Sequence, residues 1–228
     1  MMRRIFSIAV LVLVPALLQG QALTPAEREP ILESLKMTTM KLMHMSEHHT
    51  AEEWNWKPAP DRWSLGEVAE HILVTEQGIL EALKGPFNES TTSLSEKAQM
   101  PVTQIAAIMR DRSAKFQAPA QVTPSGRWAT PAAWREAFDA NRKALIEFAK
   151  SGADVHGHVL PHPAFGMMDG EQWLAFLAYH TERHVMQAEE VMHDANFPGH
   201  HAMDHAKDHD MDHDKAAEHE MEHNEKHE

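Results

Sequence analysis

Four long stretches of the chain carry apolar residues at every third or fourth position, which is the spacing of a helix with one buried face. Each stretch starts at a residue type that caps helices, and in three of them Glu or Gln follows three positions after the cap. The predicted helices run from Thr24-Pro25 to about Glu47, from Ser64 to about Lys84, from Thr130-Pro131 to about Ser151, and from Asp169 to about Val191. Strict alternation of apolar and polar residues, which is typical of a half-buried strand, is nearly absent.

The segment between the second and third predicted helices is long and contains several Pro and Ser residues. Within it, Val102 to Phe116 shows the pattern of a shorter helix. A single long crossover among four helices is a known bundle topology. The sequence therefore predicts an all-α chain that forms a four-helix bundle with one long crossover.

The first 22 residues have the pattern of a signal peptide. Arg3 and Arg4 supply the positive end, the run from Ile5 to Leu18 is almost entirely apolar, and Gly20-Gln21-Ala22 offers small residues for cleavage. The apolar run is shorter than the about 20 residues that a membrane span needs. We therefore expect a periplasmic or secreted protein without a stable membrane span, with a retained anchor as the alternative.

The last segment, residues 200–228, has a composition of its own: eight His among ten acidic residues and three Lys. No aliphatic residue larger than Ala occurs there, so the segment is predicted to be a disordered tail. Its His residues recur every four positions in two sets. These are His201, His205, His209 and His213, and then His219, His223 and His227. In a helix each set would share one face and bind metal ions weakly, whereas a solvated charged end is the alternative interpretation.

Composition narrows the possible functions of residues 23–199, which suit a single domain. The net charge of the whole chain is −13, and its sequence contains no basic patch. Nucleic acids and anionic membranes are therefore disfavoured as partners. The chain has no Cys, so a disulfide framework, a thiolate metal site and a Cys nucleophile are all excluded. Imidazole and carboxylate groups are left for any chemistry.

Two histidines, His180 and His184, stand one helical turn apart on the otherwise apolar stripe of the last predicted helix. Residues at this spacing lie roughly 6 Å apart, close enough to share one metal ion. A third histidine, His71, lies on the second predicted helix near its apolar face. The alternative is that these are core histidines, each hydrogen-bonded to a neighbour.

Two separated motifs resemble the DinB/YfiT-like superfamily. They comprise Trp54 to Pro58 followed by Asp61 to His71, and later His162 to Gly166 followed by Trp173 to Gln187. The resemblance covers about residues 27 to 194. It implies a four-helix bundle in which one His of the second helix and two of the last helix bind a divalent cation, often zinc or nickel. On this sequence those ligands are His71, His180 and His184, in agreement with the spacing.

The resemblance also implies several alternative activities. Some members are thiol S-transferases or thiol-dependent isomerases, and others are regarded as metal hydrolases. Three nitrogen ligands leave a position open for water or substrate. Glu67 and Glu182 are candidate general bases, and Glu67 is alternatively a group that orients His71. Gln187 is a candidate to bind a water or the substrate, or is an ordinary polar residue of its helix.

Several other side chains near these motifs have two interpretations. His48 and His49 either supply a fourth ligand or are solvated, and His162-Pro163 shapes the entry of the last helix. The three tryptophans before the second helix either pack in the core or form the wall of a substrate pocket. These are Trp54, Trp56 and Trp63.

The expected protein is therefore an exported, divalent-metal-binding bundle. Its favoured function is that of a metal-dependent hydrolase or thiol S-transferase acting on an unknown small molecule. The alternative is a non-catalytic metal-binding or metal-buffering protein, which export favours because small thiol cosubstrates are mainly cytosolic. The sequence leaves the oligomeric state open, with a homodimer as one alternative.

Overall fold

The computed structural model describes residues 22–92, 96–97 and 100–199. The signal-peptide prediction for residues 1–22 and the tail prediction for residues 200–228 lie almost entirely outside these described residues. The helices are α1 (Pro25–His48), α2 (Ala51–Asn55), α3 (Leu65–Lys84), α4 (Pro86–Glu89), α5 (Val102–Arg110), α6 (Pro131–Lys150) and α7 (Gly170–Met192). A hairpin of β1 (Leu160–His162) and β2 (Gly166–Met168) precedes α7.

Four long helices, α1, α3, α6 and α7, form the predicted four-helix bundle. Helix α1 packs on α6 and α7, and α3 packs on the same two helices from the other side. The long connection between α3 and α6 carries α5, which lies along α7. The all-α class and the single long crossover are thus confirmed.

The local signals that start the helices act as the sequence predicts. Thr24, Ser64 and Asp169 each accept a hydrogen bond from the backbone N–H three residues on, and the Glu or Gln at that position returns to the cap. Thr130 caps α6 in front of a first-turn proline. These caps satisfy backbone donors that a helix leaves unpaired.

Two features differ from the prediction. The segment from Val102 to Phe116, predicted as a helix, is helical only to Arg110. The guanidinium of Arg183 binds the carbonyl oxygens of Met109, Asp111 and Ala114, and these bonds hold the chain after α5 away from a helical path. The β1–β2 hairpin was not predicted, since each strand has only three residues and shows no alternation.

The core of the bundle consists of two hydrophobic clusters. One cluster contains Leu35 of α1 and Leu145 of α6, and the other contains Leu42 of α1 and Phe138 of α6. Between these levels the buried side chains are polar. They are Thr38, Glu76, Arg142 and Thr181, followed by His71, His180 and His184. The predicted metal ligands therefore lie beside a polar layer that crosses the whole bundle.

No helix in the described part of the chain is long and apolar enough to cross a membrane.

Candidate metal centre

Three histidines from two helices converge beside the polar layer. His71 projects from α3, and His180 and His184 project from α7. The Nε2 atom of His180 lies 3.3 Å from Nε2 of His71 and 3.1 Å from Nε2 of His184. We call this set of three side chains the His triad. Together they form a group that could hold a metal ion.

Hydrogen bonds on the far side of two rings orient the triad. Nδ1 of His71 donates to the carbonyl oxygen of Val122 over 2.8 Å. Nδ1 of His184 lies 2.9 Å from Oε1 of Gln187, which accepts from it. Because a neutral imidazole carries one N–H, both Nε2 atoms must then present lone pairs to the centre.

Burial keeps the triad neutral. The exposed fractions of His71, His180 and His184 are 3%, 9% and 8%. Burial lowers the pKa of His71, although its bond to Val122 raises it. Burial lowers the pKa of His180 and of His184 well below the ordinary value, and the neighbouring histidines lower both further. Neutral imidazole is the form that binds a metal ion.

The geometry of the three nitrogens fits a tetrahedral cation. Bonds of about 2.0–2.1 Å at tetrahedral angles place two ligand nitrogens about 3.3–3.4 Å apart. The observed separations of 3.1 and 3.3 Å are close to this value. The Nε2 atoms of His71 and His184 can only accept hydrogen bonds. The one donor that the triad itself can offer them is an N–H group on Nε2 of His180, which can serve one of the two. A bound cation would satisfy all three nitrogens at once, and the nitrogen donors suit zinc, nickel or copper.

Aromatic side chains surround the His triad. The Trp63 ring lies 4.9 Å from the ring of His71 and is stacked on His184 at 6.2 Å. Phe176 lies 5.3 Å from His180, and His162 of β1 lies 4.5 Å from Phe176. Burial lowers the pKa of His162 to about 4, so this imidazole is also neutral near pH 7.

The three tryptophans near α3 therefore have different surroundings. Trp54 is fully buried and packs against Trp134, while Trp56 contacts Phe197. Trp63 contacts the His triad, so it forms part of the wall of the candidate site.

The predicted catalytic residue Glu67 does not orient His71. Its carboxylate accepts from the backbone N–H of Ser64 and from the ammonium of Lys57, at 2.8 and 2.9 Å. The partner of His71 is the Val122 carbonyl instead. Glu67 therefore completes the capping box of α3, which explains why a Glu stands at this position.

The other polar candidates also have defined partners. Glu182 forms an ion pair with Arg110, with Nε and Oε2 at 2.6 Å. Gln187 binds the outer nitrogen of His184, so in this structure it positions a triad residue.

His48 and His49 do not belong to the triad. The His49 ring packs on Phe197, and its Nδ1 donates to the carbonyl of Met45.

A buried carboxylate next to His71 was missed by sequence reasoning. Glu70 is 3% exposed, and its two oxygens accept from the backbone N–H groups of Ser125, Gly126 and Arg127 and from the Ser125 hydroxyl. These bonds fix the part of the crossover that carries Val122. A turn at Pro124-Ser125-Gly126 could be predicted from its residue types, but its acceptor could not.

A buried ion pair lies in the polar layer beside the triad. Arg142 of α6 binds Glu76 of α3, which also accepts from Thr181 at 2.9 Å and Asn141 at 3.1 Å. Burial raises the pKa of Glu76 and lowers that of Arg142, while their mutual attraction opposes both shifts. This pair connects α3 and α6 one turn beyond the triad.

A second group of metal-binding residue types lies at the opposite end of α7, made of Glu27, His156 and Glu171. Nδ1 of His156 lies 3.1 Å from the Asp169 carboxylate, and its Nε2 lies 3.5 Å from Glu27. His156 therefore already has a carboxylate within reach of each ring nitrogen.

The fold and the triad define the class of protein: a helical bundle with a three-histidine centre on its second and last long helices. A sequence model described as the DinB superfamily matches residues 34–188, and the chain belongs to this superfamily. The Uncharacterized protein YuaE of Bacillus subtilis (strain 168) is 27% identical over 141 residues, covering 61% of this chain and 83% of that protein. No solved structure matches the chain significantly.

Proposed function

We propose that this protein is a metal-dependent enzyme of the hydrolase or thiol S-transferase type, with His71, His180 and His184 as its metal ligands and zinc or nickel as the cation. The observation that carries the proposal is the convergence of three neutral Nε2 atoms at 3.1 and 3.3 Å. Two of these atoms have lone pairs directed inward by the outer hydrogen bonds. A protein interior rarely leaves such groups without a partner.

When bound at three nitrogens, the cation would keep a position open and would lower the pKa of a water or thiol held there. The residues of the chain prepare that position. Val122 and Gln187 hold the rings of His71 and His184, and Trp63 excludes water from one side. Phe176 supplies an apolar surface next to His180. Such a surrounding suits a small substrate with an apolar part.

A second candidate function is metal binding without a reaction. The burial of the triad under Trp63 favours it, because exposed fractions of 3–9% leave little room for a substrate. A shallow cavity at the distant end of α3, lined by Gly78, Glu81 and Pro86, does not contain the triad. The two candidates therefore differ in whether Trp63 moves to admit a substrate.

We further propose that the chain is exported and that its His-rich tail, residues 200–228, binds metal ions weakly. The support is the sequence pattern of residues 1–22 and the regular spacing of histidines in the tail.

The first experiment is to measure metal content and thermal unfolding of untagged protein with Zn²⁺, Ni²⁺ and no metal. We expect one ion to raise the unfolding temperature, because the triad connects α3 and α7 and stabilises only the folded state. Ions held by the tail would add to the metal content without this effect. The variant His180→Gln should lose the stabilisation.

A matched control for His180→Gln is His158→Gln, which removes an imidazole that contacts Ser90 and Phe87 and is not part of the triad. Equal metal-dependent stabilisation of wild-type protein and His180→Gln would refute the metal centre. With the centre established, ester, amide and thiol-transfer substrates distinguish the two candidates. Turnover that requires the metal and increases in Trp63→Ala supports the enzyme, whereas no turnover in either protein supports the metal-binding protein.

A further inference from the structure

One buried hydroxyl group on α3 has no hydrogen-bond partner. Thr75 is 8% exposed, and its Oγ1 atom makes no hydrogen bond to any described residue. Among the described residues, the other buried side-chain atom of this kind is Nε of Arg142, but the remaining nitrogens of that guanidinium bind Glu76 and two groups of α1. Thr75 has no second polar atom in its side chain. Its whole hydrogen-bonding capacity is therefore unused.

Other threonines in the helices of this chain satisfy their hydroxyl groups locally. Thr38, Thr39 and Thr181 each donate to the backbone carbonyl four residues earlier, at 2.8, 2.6 and 3.0 Å. The corresponding acceptor for Thr75 is the carbonyl of His71, and this bond does not form. A buried hydroxyl without a partner destabilises a fold. The structure thus indicates that the hydroxyl of Thr75 serves a ligand.

The position of Thr75 connects its hydroxyl with the His triad. Thr75 follows His71 by four residues, so the two side chains lie on the same face of α3, with Cβ atoms about 5–6 Å apart. This face packs on α7, which carries the other two triad residues. The next residue, Glu76, accepts from Thr181 of α7 in the polar layer. Thr75 therefore lies where the triad and the polar layer meet.

A hydroxyl group at this place suits an oxygen atom on the cation. Three nitrogen ligands leave one position of a tetrahedral cation open. A threonine hydroxyl donates one hydrogen bond, and an oxygen accepts it more strongly than the sulfur of a thiol does. The polar side chains Gln187 and Glu182 already have partners in His184 and Arg110. The hydroxyl of Thr75 is still available as a donor.

We propose that the hydroxyl group of Thr75 binds the oxygen atom, of solvent or substrate, that occupies the open position of the cation. This contact selects ligands that carry a carbonyl or carboxylate oxygen over thiols. The inference rests on the proposed metal centre and deepens it, because it favours hydrolysis of a carbonyl compound over thiol transfer.

The test uses the full chain loaded with Co²⁺, whose visible absorption reports the ligands of the cation. Parallel spectra of His180→Gln are subtracted to remove the contribution of Co²⁺ bound elsewhere. Acetate and ethanethiol, which are similar in size, are titrated separately. We expect Thr75→Val to bind acetate about ten-fold more weakly than wild-type protein and to bind ethanethiol equally well. Thr75→Ser keeps the hydroxyl and should restore the acetate affinity.

Thermal unfolding without metal separates this role from a structural one. Because the hydroxyl of Thr75 has no partner in the fold, Thr75→Val should unfold at the same temperature as wild-type protein or at a higher one. The matched control is Thr38→Val, which removes a hydroxyl that is bonded to Ser34 and Arg142. This control should lower the unfolding temperature and leave acetate binding unchanged.

The remaining outcomes distinguish the two proposals. Wild-type acetate affinity in Thr75→Val, an equal loss of acetate and ethanethiol binding, or a wild-type spectrum that does not respond to acetate would overturn the role of Thr75 alone. A lower unfolding temperature of metal-free Thr75→Val would show a structural role instead. Identical Co²⁺ spectra of wild-type protein and His180→Gln would overturn the metal centre, and this inference with it.

Discussion

The substitution Glu70→Gln tests how the crossover supports the His triad. In the wild-type protein, Oε1 of Glu70 accepts two hydrogen bonds from Ser125, at 2.7 and 3.0 Å. Oε2 accepts one from the backbone of Gly126 and one from that of Arg127, both at 2.9 Å. The amide of Gln offers an oxygen to only one of these two sets. If its NH₂ group faces Ser125, it meets the backbone N–H but can donate to the hydroxyl; if it faces Gly126 and Arg127, it meets two N–H donors.

The expected loss follows from the number and kind of bonds. A hydrogen bond to a charged group contributes about 1.5–3 kcal/mol, and the substitution removes at least one and makes the others neutral. Ser125, Gly126 and Arg127 are exposed, so water replaces part of the loss. We expect the free energy of unfolding to fall by about 2–3 kcal/mol, which lowers the unfolding temperature of a chain of this size by roughly 5–10 °C.

A second effect should appear at the metal centre. The crossover residues held by Glu70 are continuous with Val122, whose carbonyl orients His71 at 2.8 Å. Loss of a group that orients a metal ligand commonly weakens metal affinity 10–100-fold, and an indirect effect belongs at the lower end of that range. Competition with a chromophoric zinc chelator measures the affinity, and thermal unfolding without metal measures the stability.

The control is Glu81→Gln, which changes an exposed carboxylate on the same helix. It should leave both quantities unchanged. An unfolding temperature of Glu70→Gln equal to wild type would refute the bonding described here. A destabilised Glu70→Gln protein with wild-type zinc affinity would show that the position of His71 does not depend on the crossover.

Three further predictions concern single side chains. Gln187→Leu removes the acceptor of His184 Nδ1 and should weaken zinc binding about ten-fold in the chelator assay, whereas Gln187→Glu should retain it. A Cβ at Gly66 would lie 2.5 Å from Nε1 of the buried Trp54, so Gly66→Ala should cost about 1–3 kcal/mol in urea unfolding, and an unchanged midpoint would contradict this packing. The folded-state pKa of His162 is about 4 and an unfolded His titrates near 6.5, so the unfolded chain binds more protons in that window. The free energy of unfolding should therefore fall as the pH decreases from about 6.5 to 4, and it should fall less steeply in His162→Gln. Urea unfolding at several pH values measures both proteins, and an equal pH dependence of the two would contradict the lowered pKa of His162.

The bundle could be predicted from the sequence because its signals are local. The caps at Thr24, Ser64 and Asp169 depend on residues three positions away, and helical periodicity marks the buried face of each helix. That His180 and His184 lie on the same face of their helix follows from their spacing alone. Such features need no knowledge of the tertiary structure.

The features that escaped prediction depend on contacts between distant parts of the chain. Helix α5 ends at Arg110, and Arg183, 73 positions later, binds the carbonyl oxygens of Asp111 and Ala114 that follow. The Val122 carbonyl meets His71 across 51 positions. A backbone carbonyl has no sequence pattern, so the hydrogen-bond partner of His71 Nδ1 could not be predicted, and the alternative in which Glu67 orients His71 is not the arrangement found. Glu67 as a general base stays a prediction.

The crossover is held to the bundle by its main chain. Arg183 binds three of its carbonyl oxygens, Glu70 binds three of its N–H groups, and His71 binds the carbonyl of Val122. Most of these contacts persist whatever side chain the crossover carries, except at Gly126, where φ is +81°. Mutations of side chains in the crossover can therefore accumulate without altering the path of the chain, so the crossover can change in evolution while Val122 and the three histidines of the triad stay in place.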